Sequence, residues 1–342
     1  MLLSAQTISD ICGALFERKT KCLTEKEQFP YRVGGLLYTP ATNKNIAAKI
    51  KNRSIQALTS IVFCLEDSIG DTEVEVAEQN VKKILSDLES RENSPLLFVR
   101  VRKPEHLRHM GEYLEGHLDR INGFVLPKFD ESNLDQYFKR LSEINQQLSS
   151  PKYIMPIIES QSIAKSSERA KKLERLKNSM MDMKDLILNV RVGGNDFSNI
   201  YGLRRNVNQN IYQIGVVKDI LIDILNLFSD EYVVSGPVWE YFDNGTDQLW
   251  KKGLIRELEL DRLNGFIGKT AIHPSQLPLI WNSLQPTVDD FKDAESIVNW
   301  TLNEGVSSSA DGRRMNEVKT HLKWATKTYI LGKIYGVKEE LN

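Results

Sequence analysis

The chain has 342 residues, 41% of them hydrophobic, with a formal net charge of −1: room for one large α/β domain with a small appendage, and no global field to attract DNA or an acidic membrane. Three cysteines, Cys12, Cys22 and Cys64, form neither a disulfide framework nor a CxxC metal pair. No apolar run approaches the ~18 residues of a membrane span, and Met1-Leu2-Leu3-Ser4-Ala5-Gln6 has no basic n-region, so the expected location is the cytoplasm and neither nucleic acid nor membrane is an expected partner.

Residues 1–30 are expected to form one amphipathic helix, with Ile8, Ile11, Leu15 and Phe16 on its apolar face, and a polar link. Eight short apolar runs follow: Gly35–Thr39, Ile61–Leu65, Leu96–Arg102, Gly123–Leu126, Tyr153–Ile158, Ile187–Val192, Tyr232–Ser235 and Gly265–Gly268. Continuous apolar character fits strands buried on both faces. Cys64, inside the second run, is expected to be a small core residue. Segments of helical period separate the runs. One carries Leu134, Tyr137, Phe138, Leu141, Ile144 and Leu148, with Ser132 and Asp135 expected as its capping box. Another carries Leu249, Trp250, Leu254, Ile255 and Leu258. Strand–helix alternation implies a parallel sheet, and eight units over roughly 240 residues suit a TIM-type (β/α)₈ barrel across 31–285, with a doubly wound sheet as the competitor. In 286–342, Thr287 is expected to cap a helix reaching about Asn303. A Ser- and Gly-rich loop at Gly305–Gly312 and a last helix from Met315 to Tyr335 then complete a C-terminal helical lid.

Ligands collect at the C-terminal ends of parallel strands, and polar residues fall there repeatedly. Glu66 and Asp67 follow the second run, Arg100 and Arg102 lie on the third, and Lys128 follows the fourth. Glu159 ends the fifth, Gly194, Asn195 and Asp196 follow the sixth, and Lys269 and His273 follow the eighth. Six charged strand ends with both signs present are costly as buried surface unless they pair or bind ligand. Glu159 and Asp196 suit Mg²⁺, which takes one or two carboxylates and keeps positions open for substrate oxygens. A metal there would act as a Lewis acid on the carbonyl of an α-keto acid or carboxylate. Arg100 would hold the negative charge that develops when a bond next to that carbonyl breaks or forms. Arg102, Lys128, Gly194, Asn195 and Lys269 join Arg100 as substrate-binding candidates, with Lys128 favoured as a charge balancer rather than a Schiff-base lysine.

These residues resemble the HpcH/HpaI aldolase/citrate lyase family, which includes the citrate lyase β subunit and malyl-CoA lyases. Leu37-Tyr38-Thr39-Pro40-Ala41 resembles "LFVPA", Leu65-Glu66-Asp67 lies in a "LDLEDAV"-like stretch, and Val99-Arg100-Val101 resembles "VRIN". Leu126-Pro127-Lys128 and Ile158-Glu159 follow in order. Gly193-Gly194-Asn195-Asp196 resembles "FGxxD", and Gly268–Gln276 is close to "GKxxIHPxQ". The resemblance implies a carbon–carbon lyase or aldolase, with Mg²⁺ on Glu159 and Asp196 and substrate on Arg100. It further implies Glu66 and Asp67 orienting metal waters and Arg100, and a homo-oligomer, trimer or hexamer. Asp311-Gly312-Arg313-Arg314-Met315-Asn316-Glu317 resembles the lid motif "DGxMxD", which makes Glu317 the lid acid/base.

The chain departs from the family at several places. Where the family carries a Lys and an Arg for the CoA ester, this chain has Val74 and Glu78, which weighs against acyl-CoA. The "VRIN" asparagine is Arg102, and Arg204 and Arg205 add cations after the sixth run, which suits a more highly charged substrate. The alternatives are therefore a non-CoA aldolase on a small or phosphorylated acid, and a non-catalytic subunit or binding module of a larger complex. His273 is expected to fix its loop, and His106, His109 and His117 to lie at the surface without a zinc site. Trp239 is expected either to wall the pocket or to pack in the core. Lys171–Lys177 is a solvated helix face, and neither GxxxxGK[ST] nor GxGxxG is present.

Overall fold

The computed structural model describes residues 24–88, 94–243, 245–300 and 305–338. Of the helix and polar link expected over residues 1–30, the apolar positions Ile8, Ile11, Leu15 and Phe16, with Cys12 and Cys22, lie outside them, and the described end is a short helix, Glu25–Gln28, capped by Thr24, rather than a link. The described chain forms two units, one spanning Arg32–Ser283 and the other combining Tyr31 and its preceding residues with Leu284 onward.

The larger unit is a barrel of eight parallel strands. They are β1 (Gly35–Pro40), β2 (Ser60–Cys64), β3 (Leu96–Arg100), β4 (Gly123–Leu126), β5 (Tyr153–Ile158), β6 (Val190–Val192), β7 (Val234–Ser235) and β8 (Lys269–Ala271). Neighbours in sequence are neighbours in the sheet, β8 pairs with β1, and a Gly236–Lys269 bridge brings β7 to β8. The strands are buried along nearly their whole length, as their unbroken apolar composition requires when helices cover the outside.

Register decides which side chains face inward. Parallel partners share a face and alternate residues change face. The pairs Tyr38–Val62, Cys64–Arg100, Arg100–Val125, Val125–Met155, Ile157–Arg191, Arg191–Ser235 and Leu36–Thr270 therefore define one continuous face. A hydrogen bond from Arg191 on β6 to Thr270 on β8 crosses that face and identifies it as the interior.

Several local expectations are corrected. The eighth strand lies at Lys269–Ala271, not Gly265–Gly268. Gly265 ends the helix Leu249–Asn264 in a left-handed conformation, φ 108°. Gly268 also has positive φ, and a β-carbon there would sit 2.2 Å from the Gly34 carbonyl. Phe266 and Ile267 are buried, but not as a pairing strand. The helix Leu134–Asn145 begins at Asn133, which makes no side-chain cap bond, and Ser132 bonds Asp130 instead of closing a capping box.

In the smaller unit Thr287 caps the helix Val288–Val298, accepting from the Asp290 N–H at 3.1 Å. The Ser- and Gly-rich stretch is not a simple loop. It forms an antiparallel hairpin of β9 (Val306–Ser308) and β10 (Met315–Glu317), and the last helix starts only at Val318. The Ser309 hydroxyl holds the turn by accepting from the Arg313 and Arg314 N–H groups. Ala294, Ile297 and Ala325 form the core between the two helices, and Phe291 stacks on Tyr329 at 5.6 Å. Among the described residues no helix is long and apolar enough to cross a membrane.

Candidate active site

Arg100, the last residue of β3, gathers three carboxylates from neighbouring strand ends. Its Nη2 lies 2.7 Å from Glu66 Oε2, 3.0 Å from Asp67 Oδ2 and 3.3 Å from Glu159 Oε1. Burial opposes the guanidinium charge, but Tyr38, Glu159, Cys64 and Glu66 outweigh it and hold its pKa above the ordinary value. Lys128 joins from the loop after β4. Its Nζ is 2.7 Å from Glu66 Oε1 and 3.7 Å from Asp67 Oδ1, and the bond to Glu66 raises its pKa. Lys128 takes a left-handed backbone, φ 49°, unusual for a side-chain-bearing residue. That turn aims its N–H at Glu159 Oε1, 2.9 Å away.

Glu159 directly follows β5, and Asp196 lies in the first turn of the helix Gly194–Ile200 after β6. Gly193 is the hinge between them. A β-carbon there would sit 2.4 Å from Glu159 Oε2 and 3.2 Å from Asp196 Oδ2, so only glycine lets the two carboxylates converge. Burial pushes the Glu159 carboxyl up to about 8, with Asp196 adding to the rise and Arg100 opposing it. Burial likewise raises Glu66 against the pull of Arg100. Asp67 is lowered: burial works to raise it, but Glu66, Arg100 and Lys128 together prevail.

This donor set fits Mg²⁺. It offers two hard oxygen donors on one small-residue hinge, one of them an acid whose pKa burial raises to about 8 and a bound cation would lower. Among the described residues no three His, Cys, Asp or Glu side chains converge as a fuller metal cage. Mg²⁺ does not require one, because it commonly retains waters.

Other candidates lie elsewhere. Lys269 opens β8 and faces outward, one residue out of phase with Thr270. It is fully buried, 2.9 Å from Glu257 Oε1 and 2.7 Å from Asp261 Oδ2 on the helix Leu249–Asn264. It is a structural ion pair rather than a substrate contact. Arg102 pairs with Asp71 and donates to the Leu65 carbonyl. Arg204 pairs with Glu240, and Arg205 with Glu257. The cations that suggested a highly charged substrate are thus neutralised one by one. Gly194 is buried, with room for a β-carbon blocked by Ile211 and Pro237, while Asn195 is exposed.

Glu317 ends β10 in the smaller unit, where its N–H donates to His321 Nδ1 at 3.0 Å. His273 fixes its own turn, its Nδ1 2.8 Å from Ser275 Oγ. Trp239 is fully buried and packs in the core, with Arg205 over its ring. His106 is not at the surface: it is 8% exposed, accepts from the Arg102 N–H and bonds Glu78, which also bonds His109. Sequence reasoning missed Glu78 as their anchor. It also missed Tyr38 and Arg191, whose only signal was polar character at inward positions of apolar strands.

The sequence matches the family described as C–C bond lyase of the TIM-barrel fold over residues 27–337. The chain belongs to that family. This carbon–carbon lyase also shares its fold with solved structures. A citrate lyase from Burkholderia xenovorans has a TM-score of 0.64 at 13% identity, covering 90% of this chain and 94% of its own. CitE from Mycobacterium tuberculosis, in complex with magnesium, acetoacetate and coenzyme A, has a TM-score of 0.58 at 16% identity, covering 88% and 99%. The citrate lyase β subunit from M. tuberculosis, with oxaloacetate and magnesium, has a TM-score of 0.51 at 17% identity, covering 75% and 99%. No curated protein matches the sequence.

Proposed function

We propose that this lyase is Mg²⁺-dependent and breaks or forms a carbon–carbon bond next to the carbonyl of a small carboxylate or α-keto acid. The observation that carries this reading is the Glu159–Asp196 pair closing on Gly193, with Glu159 buried and pushed up to about 8. When bound there, Mg²⁺ would supply Lewis acidity toward a substrate carbonyl. Arg100 would receive the substrate's carboxylate or enolate oxygens, its fork already oriented by Glu66, Asp67 and Glu159. Lys128 would balance Glu66 and Asp67, and its N–H holds Glu159 in one rotamer. Glu317 is the proposed proton carrier of the C-terminal segment. The metal and small carboxylates in the two M. tuberculosis complexes support this substrate class.

A substrate without CoA is the favoured form of the reading. Glu78, at the place of a family cation, is committed to His106 and His109. A homo-oligomer, trimer or hexamer, is the proposed assembly.

Thermal unfolding tests the reading, with wild type and Glu159→Ala, with and without Mg²⁺, and with oxaloacetate, glyoxylate and acetyl-CoA in turn. A ligand at 100 times its Kd adds about 2.7 kcal/mol. Mg²⁺ should stabilise only wild type, a keto acid should add to it, and acetyl-CoA should not. If Mg²⁺ stabilises neither protein, the metal site is wrong and a non-catalytic binding module takes its place.

A further inference from the structure

Arg191 carries a charge inside the barrel that the cluster on Arg100 does not use. It is 1% exposed on β6, in a position that barrels usually fill with branched aliphatic residues. Its Nη2 donates to Thr270 Oγ1 at 2.7 Å and its Nη1 to Asn189 Oδ1 at 3.4 Å, and its Nε is unpaired. The Tyr38 hydroxyl lies within its hydrogen-bonding reach, and Tyr38 is the one group whose charge would favour that of Arg191. Burial opposes the guanidinium, and among the described residues no carboxylate forms an ion pair with it. A buried charge held only by neutral groups is expensive, and a leucine would fill the space at lower cost.

Tyr38 links this charge to the candidate active site. It stands on the same interior face, and its ring lies under the Arg100 guanidinium, 5.8 Å from Cζ to centroid. Unlike Arg191 it is partly exposed. Its hydroxyl thus faces Arg191 while its ring lies against Arg100, which in turn faces Glu66, Asp67 and Glu159.

We propose that Arg191 and Tyr38 are positioning residues: Arg191 pins the phenol, and the pinned ring seats Arg100 for the substrate's carboxylate. The proposal rests on the reading of Arg100 as the substrate arginine. Tyr38 is suited to the role because its neutral phenol oxygen can accept from the Arg191 guanidinium; burial raises its pKa against Arg191 and Arg100. A misplaced binding group costs up to about 100-fold, so loss of the pin should weaken keto-acid binding about 10- to 100-fold.

The test uses full-length protein carrying ¹⁵N-labelled arginine, with Mg²⁺ and pyruvate as probes. The Arg100 side-chain signals are identified by their loss in Arg100→Lys. In Arg191→Met and Tyr38→Leu these signals should shift without ligand, and the pyruvate Kd should rise at least tenfold while the Mg²⁺ Kd stays within about twofold. Arg191→Lys should recover part of the pyruvate affinity. Unmoved Arg100 signals in folded variants would overturn the proposal and leave the pair a core packing device. If Arg191→Met does not fold, Tyr38→Phe, which keeps the ring and removes the pinned hydroxyl, gives the same two readouts. If wild type binds no pyruvate, the functional reading fails on its own, and the ligand-free Arg100 signals still decide the positioning role.

Discussion

The raised pKa of Glu159 would make the proposed Mg²⁺ binding a proton-linked event with a calculable slope. The carboxyl starts from an ordinary value of 4.5 and is pushed to about 8, chiefly by burial. A metal must displace that proton, so apparent affinity scales as 1/(1 + 10^(pKa − pH)). With a pKa of about 8, affinity should be about 100-fold weaker at pH 6 than at pH 9, or about 2.7 kcal/mol. Near pH 7 each ion bound should release almost one proton. The metal-free protein carries the opposite sign. An acid with raised folded-state pKa stabilises fully below its unfolded value and loses that contribution as pH rises through the folded one. Stability should therefore fall on the order of 1 kcal/mol per pH unit between about 4.5 and 8. Calorimetric Mg²⁺ titrations at pH 6, 7, 8 and 9, in buffers of different ionisation enthalpy, measure both affinity and proton release. Glu159→Gln should abolish Mg²⁺ binding and flatten the pH dependence of stability. An affinity independent of pH across this range, or a Gln variant that binds like wild type, would refute the reasoning.

Other outcomes follow from particular contacts. Gly193→Ala places a methyl 2.4 Å from Glu159 Oε2 and should weaken Mg²⁺ at least tenfold by calorimetry, with the far-UV circular dichroism retained. Lys269→Met removes the cation buried against Glu257 and Asp261, leaving Glu257 the longer Arg205 pair and Asp261 the Tyr212 hydroxyl, and should cost about 3–5 kcal/mol in denaturant unfolding, yet leave keto-acid affinity in the folded protein unchanged. Once a cleaved or condensed substrate is found, Glu317→Gln should lower kcat about 10²- to 10⁴-fold without changing Mg²⁺ affinity.

Most of the barrel was legible because buried parallel strands are written as unbroken apolar runs. What such runs do not encode is pairing phase. Gly265–Gly268 is as apolar as a strand, but its two glycines serve a helix terminus and a close backbone approach, and the ladder begins one residue later. That shift turned Lys269 from the site to the outer layer, since one step along a strand reverses the face. The converging site residues were legible as charges at strand ends. The pairing of Arg102, Arg204 and Arg205 was not, because Asp71, Glu240 and Glu257 lie 31, 36 and 52 positions away in the chain. His106 was misplaced for the same reason: its partner Glu78 lies on the preceding helix.

The charge balance of the site bears on the substrate. Glu66, Asp67 and Glu159 lie against Arg100 and Lys128, and Asp196 beside Glu159, four carboxylates to two cations, so a divalent ion would bring the cluster to formal neutrality. Arg102, Arg204 and Arg205 add nothing, being paired outside it. The remaining charge in the barrel interior is Arg191, held only by neutral groups. One unbalanced positive charge suits one negative charge, a monocarboxylate or the enolate it yields, better than a phosphorylated or tricarboxylic acid. With Mg²⁺ saturating, pyruvate should therefore bind within about tenfold of oxaloacetate, a difference of no more than about 1.4 kcal/mol. A preference for the dianion above 100-fold would require a second free cation at the site, and among the described residues the arginines that could supply one are already paired.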